Sequence, residues 1–340
     1  MTAPYTLAKA ASLQRHNTLR VAARAAWLAQ VHAASSIQEI LSRTELRSLP
    51  LLVLGAGSNI LFTRDFDGLV LAMMNRGIEA LEDDGESVHV RAAAGEDWHG
   101  LVRWSLTQGL CGLENLSLIP GTVGAAPIQN IGAYGAELAE TLETVEAYDR
   151  DSGTIMRLNR EQCGFSYRHS VFKQQPDRWI ITAVELHLQR EAPLTLDYAG
   201  LREELAAMHV DSPTAMNVSD AVCNLRRRKL PDPAVIGNAG SFFKNPVVSG
   251  TQAEQLRADH PGLPIFNAGD GKKLSAAWLI EQCGWKGFRD GDAGVSDKHA
   301  LVLVNYGHAT GAQIWSLAER IRDSVQERFG VRLEPEPRIV

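Results

Sequence analysis

The sequence predicts an α+β protein of more than one domain, and three observations carry that expectation. Stretches of alternating apolar and polar residues, such as WIITAVELHLQ at 179–189, recur beside stretches of helical spacing, such as TGAQIWSLAERIRDSVQERFG at 310–330. The 340 residues suffice for two or three cores that each fold unaided. Proline and aspartate break RRRKLPDPAVIGNAG at 226–240, which reads as a domain junction.

Taken in order, TLRVAARAAWLAQVHAASSIQEILSRT (18–44) passes into helical spacing before Pro50 stops it. LLVLGAGSNILF (51–62) then reads as a buried strand, a tight turn and a second strand. GLVLAM (68–73) and SVHVRAAAG (87–95) are short strands, followed by a helix at WHGLVRWSLTQG (98–109). Strand-like alternation returns in TLETVEAYDR (141–150), GTIMRLN (153–159) and WIITAVELHLQ. In the last hundred residues, helices are expected at LSAAWLIEQCG (274–284) and 310–330, separated by the strand HALVLVN (299–305). There is no internal repeat and no low-complexity tract.

Hydrophobic residues make up 45% of the chain and charged residues 22%, an ordinary globular balance. The net charge of −6 argues against general nucleic-acid affinity, because neutralising phosphates needs a basic excess or a large basic face. Cys111, Cys163, Cys223 and Cys283 form no C-x-x-C pair, so neither a zinc site nor a disulfide framework is signalled, and no metal is expected. No apolar run approaches the ~20 residues needed to span a bilayer. MTAPYTLAKA lacks the basic start and apolar centre of a secretory signal, so a reducing cytoplasm is the expected location. Residues 1–38 hold Lys9, Arg15, Arg20 and Arg24 but no acid, a composition shared by organelle transit peptides; a first strand and helix is the preferred reading.

Two glycine-rich turns carry the first functional signal. LGAGSNIL allows close approach to a pyrophosphate, yet Ile60 stands in place of a third glycine and no acid closes a βαβ unit, so a simple tight turn is an equal reading. SLIPGTVGAAPIQNIGAYGAEL (117–138) is more demanding. Gly121, Gly124, Gly132 and Gly135 open unusual backbone angles while Pro120 and Pro127 fix the path between them. Such a loop can wrap an extended anionic cofactor with main-chain donors. No G-K-[ST] ends either turn, so a P-loop is not indicated. Further on, GNAGSFFKNP (237–246) sets Ser241 between small residues and an aromatic pair, without the surroundings of a nucleophilic serine.

LGAGSNILF, SLIPGTVGAAPIQNIGAYGAEL, YRHSVFK (167–173), KLPDP (229–233), GNAGSFFKNP and LEPEPR (333–338) together closely resemble the UDP-N-acetylenolpyruvoylglucosamine reductase family, in that family's order. The resemblance implies a two-lobed FAD-binding region of the vanillyl-alcohol-oxidase (PCMH) type, with lobes at 1–73 and 74–229, the second carrying a tyrosine-bearing substrate loop near 190–205. A smaller α+β substrate-binding domain with a catalytic tail would follow at 230–340. It also implies a cytoplasmic monomer in which NADPH reduces FAD, and FAD reduces UDP-N-acetylglucosamine enolpyruvate to UDP-N-acetylmuramate, an early step of peptidoglycan synthesis.

Carried over by position, Gly55, Gly57, Ser58 and Asn59 line the FAD with Gly121, Thr122, Gly124, Gln129, Asn130, Ile131 and Tyr134. Catalysis falls on Arg168, Ser241 and Glu336; Tyr198, in LTLDYAGL, together with Lys229 and Asn245, would hold the nucleotide-sugar. Arg226 is a weaker candidate for the same task. Ala125 and Ala126 stand where many relatives have hydroxyl residues, which assigns phosphate contacts there to backbone or water. Pro337 follows Glu336 where an aliphatic residue is usual, leaving the anchoring of Glu336 open.

The chemistry explains these residue types. Hydride addition to an enol ether pushes charge into an already anionic carboxylate, and a forked guanidinium together with a protonated acid would stabilise the dianion. Ser241 then suits a proton donor to the carbanion better than a nucleophile. Two other readings stand beside this one: an FAD-linked alcohol oxidase or dehydrogenase of the same fold, and a flavin-binding regulatory protein with a dead site. Without the other blocks, Arg168 reads as a surface arginine and Glu336 as a solvated terminus.

Overall fold

The computed structural model describes residues 3–340; Met1 and Thr2, with which the first expected lobe and the transit-like stretch begin, lie outside the described residues. The chain gathers into two units, neither continuous in sequence. One holds the N-terminal stretch to Ala11 with Ala25–Ala56 and Asp67–Arg226, the other Ser12–Arg24, Gly57–Phe66 and Arg227–Val340.

The first unit contains two sheets. The smaller orders its strands Tyr5–Ser12, Arg24–Val31, Phe66–Met73 and Leu51–Leu54, the last two parallel. Arg24–Val31 overturns the helical reading of 18–44. Its alanines favour helix weakly, and pairing on both edges outweighs that preference, so only Ile37–Ser42 forms an α-helix there. The larger sheet is antiparallel, in the order Thr154–Asn159, Leu142–Asp149, Trp179–Gln189, Ser87–Ala93 and Ile78–Asp83. Val90, Val145, Val184, Leu186 and Leu188 from its central strands are fully buried. Each such side chain contributes about 1.5–3 kcal/mol of burial. Where the charged side chains lie, Arg91 grips Glu146 with two bonds of 2.8 Å.

Helix Trp98–Thr107 is the element that aims the glycine loop. Asp97 caps it by accepting from the Gly100 amide at 2.7 Å. Trp98 is buried and donates its indole N–H to the Leu116 carbonyl at 2.9 Å, while its own amide donates to the Gly121 carbonyl. A third cluster packs Leu201 and Leu205 of helix Leu201–Ala207 on Val218, Val222 and Leu225 of helix Ala215–Lys229, with Tyr134 among them.

The second unit is built on the antiparallel sheet Gly237–Ser241, Val302–Asn305, Ala293–Val295, Arg289–Asp290. Helix Gly311–Phe329 buries Ile314, Leu317, Ile321 and Val325 in the same core; Thr310 and Gln313 form a capping box at its start, and Gly330 ends it at φ 65°. The turn LGAGSNILF is shared: Leu51–Leu54 belongs to the first unit, whereas Ile60–Leu61 pairs in parallel with the tail strand Arg338–Ile339. Val340 closes the seam by donating to the Leu61 carbonyl at 2.9 Å and accepting from the Thr63 amide at 2.7 Å.

Asp149, at the end of its strand, receives Arg178 Nε at 2.9 Å and Nη2 at 3.1 Å, and this pairing holds its carboxyl down at about 2. A depressed carboxylate stabilises the fold above its unfolded pKa, and that contribution fades as pH falls through the folded value. Asp149→Asn should therefore be less stable than wild type above about pH 4, with the two denaturation curves converging toward about pH 2.

Candidate active site

In the first unit the glycine loop forms a 3-10 turn, Val123–Gln129, that ends at Asn130 in the left-handed region, φ 44°. Asn130 is 1% exposed; its Oδ1 accepts from the Ala139 amide at 3.0 Å and its Nδ2 donates to Glu137 at 2.7 Å. Its side chain is thus committed to shaping the loop. Phosphate contacts near Ala125 are expected from backbone or water, and the main chain there is already bonded internally. The amides of Val123, Gly124 and Ala125 already donate to the carbonyls of Glu96, Ala94 and Thr122, because the loop lies against the end of strand Ser87–Ala93. What stands ready is Thr122: its Oγ1 is buried and has no hydrogen-bond partner among the described residues. A methyl group added at Gly55 would fall 2.3 Å from that oxygen, so the two glycine turns meet here at a separation only glycine permits.

Arg168 sits in the next turn with φ 107°, a conformation that costs a non-glycine residue about 1–3 kcal/mol. Its guanidinium compensates: Nη1 donates to the Asn130 carbonyl at 3.0 Å and Nη2 to the Gly132 carbonyl at 2.9 Å, with Glu137 at 4.0 Å as a loose counter-ion. Ser170, fully buried, ties the turn down by donating to the Ile128 carbonyl at 2.6 Å. Two of the five N–H donors of Arg168 are spent on the loop, which leaves the rest of the fork for an anion. His169 meets Gln174 at 2.6 Å and plays a local part.

Tyr198 is 48% exposed and Tyr134 is 9% exposed, their ring centroids 4.9 Å apart. Behind them, Arg226 donates Nε to the Leu118 carbonyl at 3.1 Å. Desolvation holds its guanidinium below the usual arginine value, with Tyr134, Cys223 and Tyr198 pushing the other way. A desolvated cation favours an anion beside it.

The second unit holds the other candidates: Gly57, Ser58 and Asn59, with Lys229, Ser241, Asn245 and Glu336. Ser241 ends strand Gly237–Ser241 just past a bulge: Asn238 pairs with Val304 but Ser241 with Val302. Gly240 takes φ 69° at the bulge and donates to Asn238 Oδ1 at 3.0 Å, so the extra residue re-aims the serine. Phe242 and Phe243, each 1% exposed and packed edge to face, fix the chain behind it. The tail runs beside them, with the Glu336 amide donating to the Phe242 carbonyl at 2.9 Å and the Arg338 amide to the Asn59 carbonyl at 3.0 Å. Main-chain pairing therefore anchors Glu336 on both sides of Pro337. Asn245 accepts from the Ala276 amide at 3.0 Å through Oδ1, leaving its N–H donors for a ligand. Lys229 is exposed at its helix end and helps burial to hold His299 below its usual range.

Residues 25–159 match the FAD binding domain family, and residues 232–340 match the family described as UDP-N-acetylenolpyruvoylglucosamine reductase, C-terminal domain. The UDP-N-acetylenolpyruvoylglucosamine reductase of Xanthomonas euvesicatoria pv. vesicatoria is 55% identical over 99% of this chain and 97% of its own. That of Pseudomonas aeruginosa is 54% identical over 96% and 97%. The chain belongs to the UDP-N-acetylenolpyruvoylglucosamine reductase family. The crystal structure of the family's enzyme from Thermus caldophilus aligns over 98% of both chains with a TM-score of 0.69 at 27% identity.

As a member of the UDP-N-acetylenolpyruvoylglucosamine reductase family, the chain is an FAD-dependent oxidoreductase with an α+β fold. The residues present fit the cofactor: the partnerless Thr122 hydroxyl is a polar atom that a flavin nucleotide would satisfy, and the space against it is one that a side chain at Gly55 would fill. The sequence reading missed Glu137, which steadies both Asn130 and Arg168; its only sequence signal is the E-x-x-E spacing to Glu140 that marks a capping box. Among the described residues no cluster of His, Cys, Asp and Glu is placed to hold a metal, and no helix is long and apolar enough to cross a membrane. Gly55→Ala should weaken FAD retention about tenfold or more while far-UV circular dichroism stays unchanged, since the clash is local. Flavin absorbance per mole of purified protein measures it.

Proposed function

We propose that this chain, as a cytoplasmic monomer, reduces UDP-N-acetylglucosamine enolpyruvate to UDP-N-acetylmuramate at the expense of NADPH, in peptidoglycan synthesis. The observation that carries the reading is Arg168, whose guanidinium is bonded to the carbonyls of the flavin loop at Asn130 and Gly132 while part of its fork stays open. A cation held this rigidly needs no reorganisation when charge develops on a substrate carboxylate, and one such preorganised donor is worth about 3 kcal/mol or somewhat more. When bound, FAD supplies the hydride chemistry.

Lobes 1–73 and 74–229 hold the cofactor in this reading. Gly55 and Thr122 receive it in the first unit, with Gly121, Gly124, Gln129, Ile131 and Tyr134 along the same loop; Gly57, Ser58 and Asn59 belong to the same task. Asn130 acts through the loop it shapes. The domain at 230–340 supplies Ser241, re-aimed by its bulge, as donor of the proton to the substrate carbanion. Glu336, steadied by Phe242, serves the carboxylate as a second donor in its protonated form. Lys229 and Asn245 take the nucleotide-sugar, with Tyr198 over it, and Arg226 adds an anion-binding charge behind the tyrosines.

Under anaerobic conditions NADPH should bleach the yellow protein, and the enolpyruvyl nucleotide-sugar should restore the colour. Bleaching without recovery rejects the substrate, and rapid recovery with oxygen instead favours an oxidase. Ser241→Ala should leave bleaching nearly intact and slow recovery by about 10²–10⁴-fold; equal losses in both steps would remove the serine from its role. Arg168→Lys keeps the charge and loses the fork, so recovery should slow at least about tenfold, a larger loss than that of flavin content.

A further inference from the structure

One side chain hydrogen-bonds to both the Tyr198 segment and the glycine loop. Asn115 lies in the short turn Glu114–Leu116 and is 2% exposed. Its one amide nitrogen donates to the Tyr134 carbonyl at 2.8 Å and to the Thr195 carbonyl at 2.9 Å. Both donors of that NH₂ are thereby spent, one on each loop. The turn itself is rigid: all three of its residues are buried, Glu114 accepts from the Gly112 amide at 2.7 Å, and the Leu116 carbonyl takes the indole of Trp98.

Residues 191–197 have no regular structure, and Leu194 and Leu196 rest only partly buried against the cluster around Tyr134. Along the segment Thr195 is bonded by Asn115, Asp197 accepts from Arg202 at 2.7 Å, and the Tyr198 carbonyl accepts from the Leu201 amide at 3.0 Å, where the next helix begins. Tyr198 follows three residues after Thr195, with its ring against Tyr134. The Asn115 amide therefore ties together the backbones that carry the two tyrosines at the base of the segment. We infer that Asn115 is a positioning residue that clamps the base of the Tyr198 segment to the glycine loop, and that it raises nucleotide-sugar affinity through Tyr198. The inference rests on the assignment of Tyr198 to the substrate given above.

Asn115→Asp, made in the full FAD-loaded chain, sets a carboxylate with nothing to donate against two carbonyls; Asn115→Ala removes the group without adding charge and guards against a folding failure. Hydrogen exchange of amides 194–200 should accelerate about tenfold or more, with flavin content and exchange elsewhere in the chain unchanged. KM for the nucleotide-sugar should rise about tenfold while kcat stays within about threefold. In a Tyr198→Ala background, adding Asn115→Ala should change KM by less than about twofold, because the affected contact is already gone. Unchanged exchange at 194–200, acceleration spread over the whole chain, or KM effects that multiply would each overturn the inference. If wild-type protein does not turn over the nucleotide-sugar at all, it is the substrate assignment that fails, and the clamp is judged by the exchange measurement alone.

Discussion

The glycine loop of the first unit depends on one buried asparagine in a left-handed conformation. Asn130 gives its side-chain oxygen to the Ala139 amide, its side-chain nitrogen to Glu137 and its backbone carbonyl to Arg168. An asparagine can hold φ 44° because its short amide bonds locally and repays the backbone strain. Its bonds run to Glu137 and Ala139 close by and to Arg168 in the next turn, so the loop is held by hydrogen bonds within the protein itself. This preorganises Arg168: the arginine is not a long side chain searching for an anion but a group whose orientation is fixed on two carbonyls.

A different device operates in the second unit. The serine and the glutamate there are placed by main-chain pairing. Ser241 gets its direction from the three-against-two mismatch between Asn238–Ser241 and Val302–Val304, and Glu336 from an amide bond to the Phe242 carbonyl. Backbone bonds of this kind hold the chain at both positions without drawing on the side chain for the bond. The seam continues through Arg338–Ile339 on Ile60–Leu61, so the chain end is a structural strand as well as the carrier of Glu336.

Much of the fold was legible in the sequence because its signals are local. The strand at 179–189 and the helix at 311–329 fall where period and caps place them, since Thr310, Gln313 and Gly330 mark the ends of the helix. Arg24–Val31 was not legible: alanine-rich spacing mimics a helix, and only the flanking strands make it extended. Nor was the tail seam, formed by residues 277 apart through backbone atoms that leave no side-chain signature. The glycine-rich blocks pointed to the site because unusual backbone demands show in composition. The residues that support them, Glu137 and Asn115, have ordinary surroundings in the sequence, and their roles exist only in the distances the fold creates.

Those supporting residues also explain why so many glycines coexist with rigidity. Glycine raises the entropy of the unfolded chain, so a loop rich in it is ordered only if bonds elsewhere hold it. Here the loop is fastened at intervals: at Gly121 by the Trp98 amide, at Gly124 by the Ala94 carbonyl, at Asn130 and Gly132 by Arg168, and at Tyr134 by Asn115. No segment between fastenings exceeds a few residues, so little conformational freedom is left to lose on binding. The buried hydroxyl of Thr122, left without a partner inside this fastened frame, is then the place where a ligand's polar atom gains most, because the cost of ordering the loop has already been met in folding.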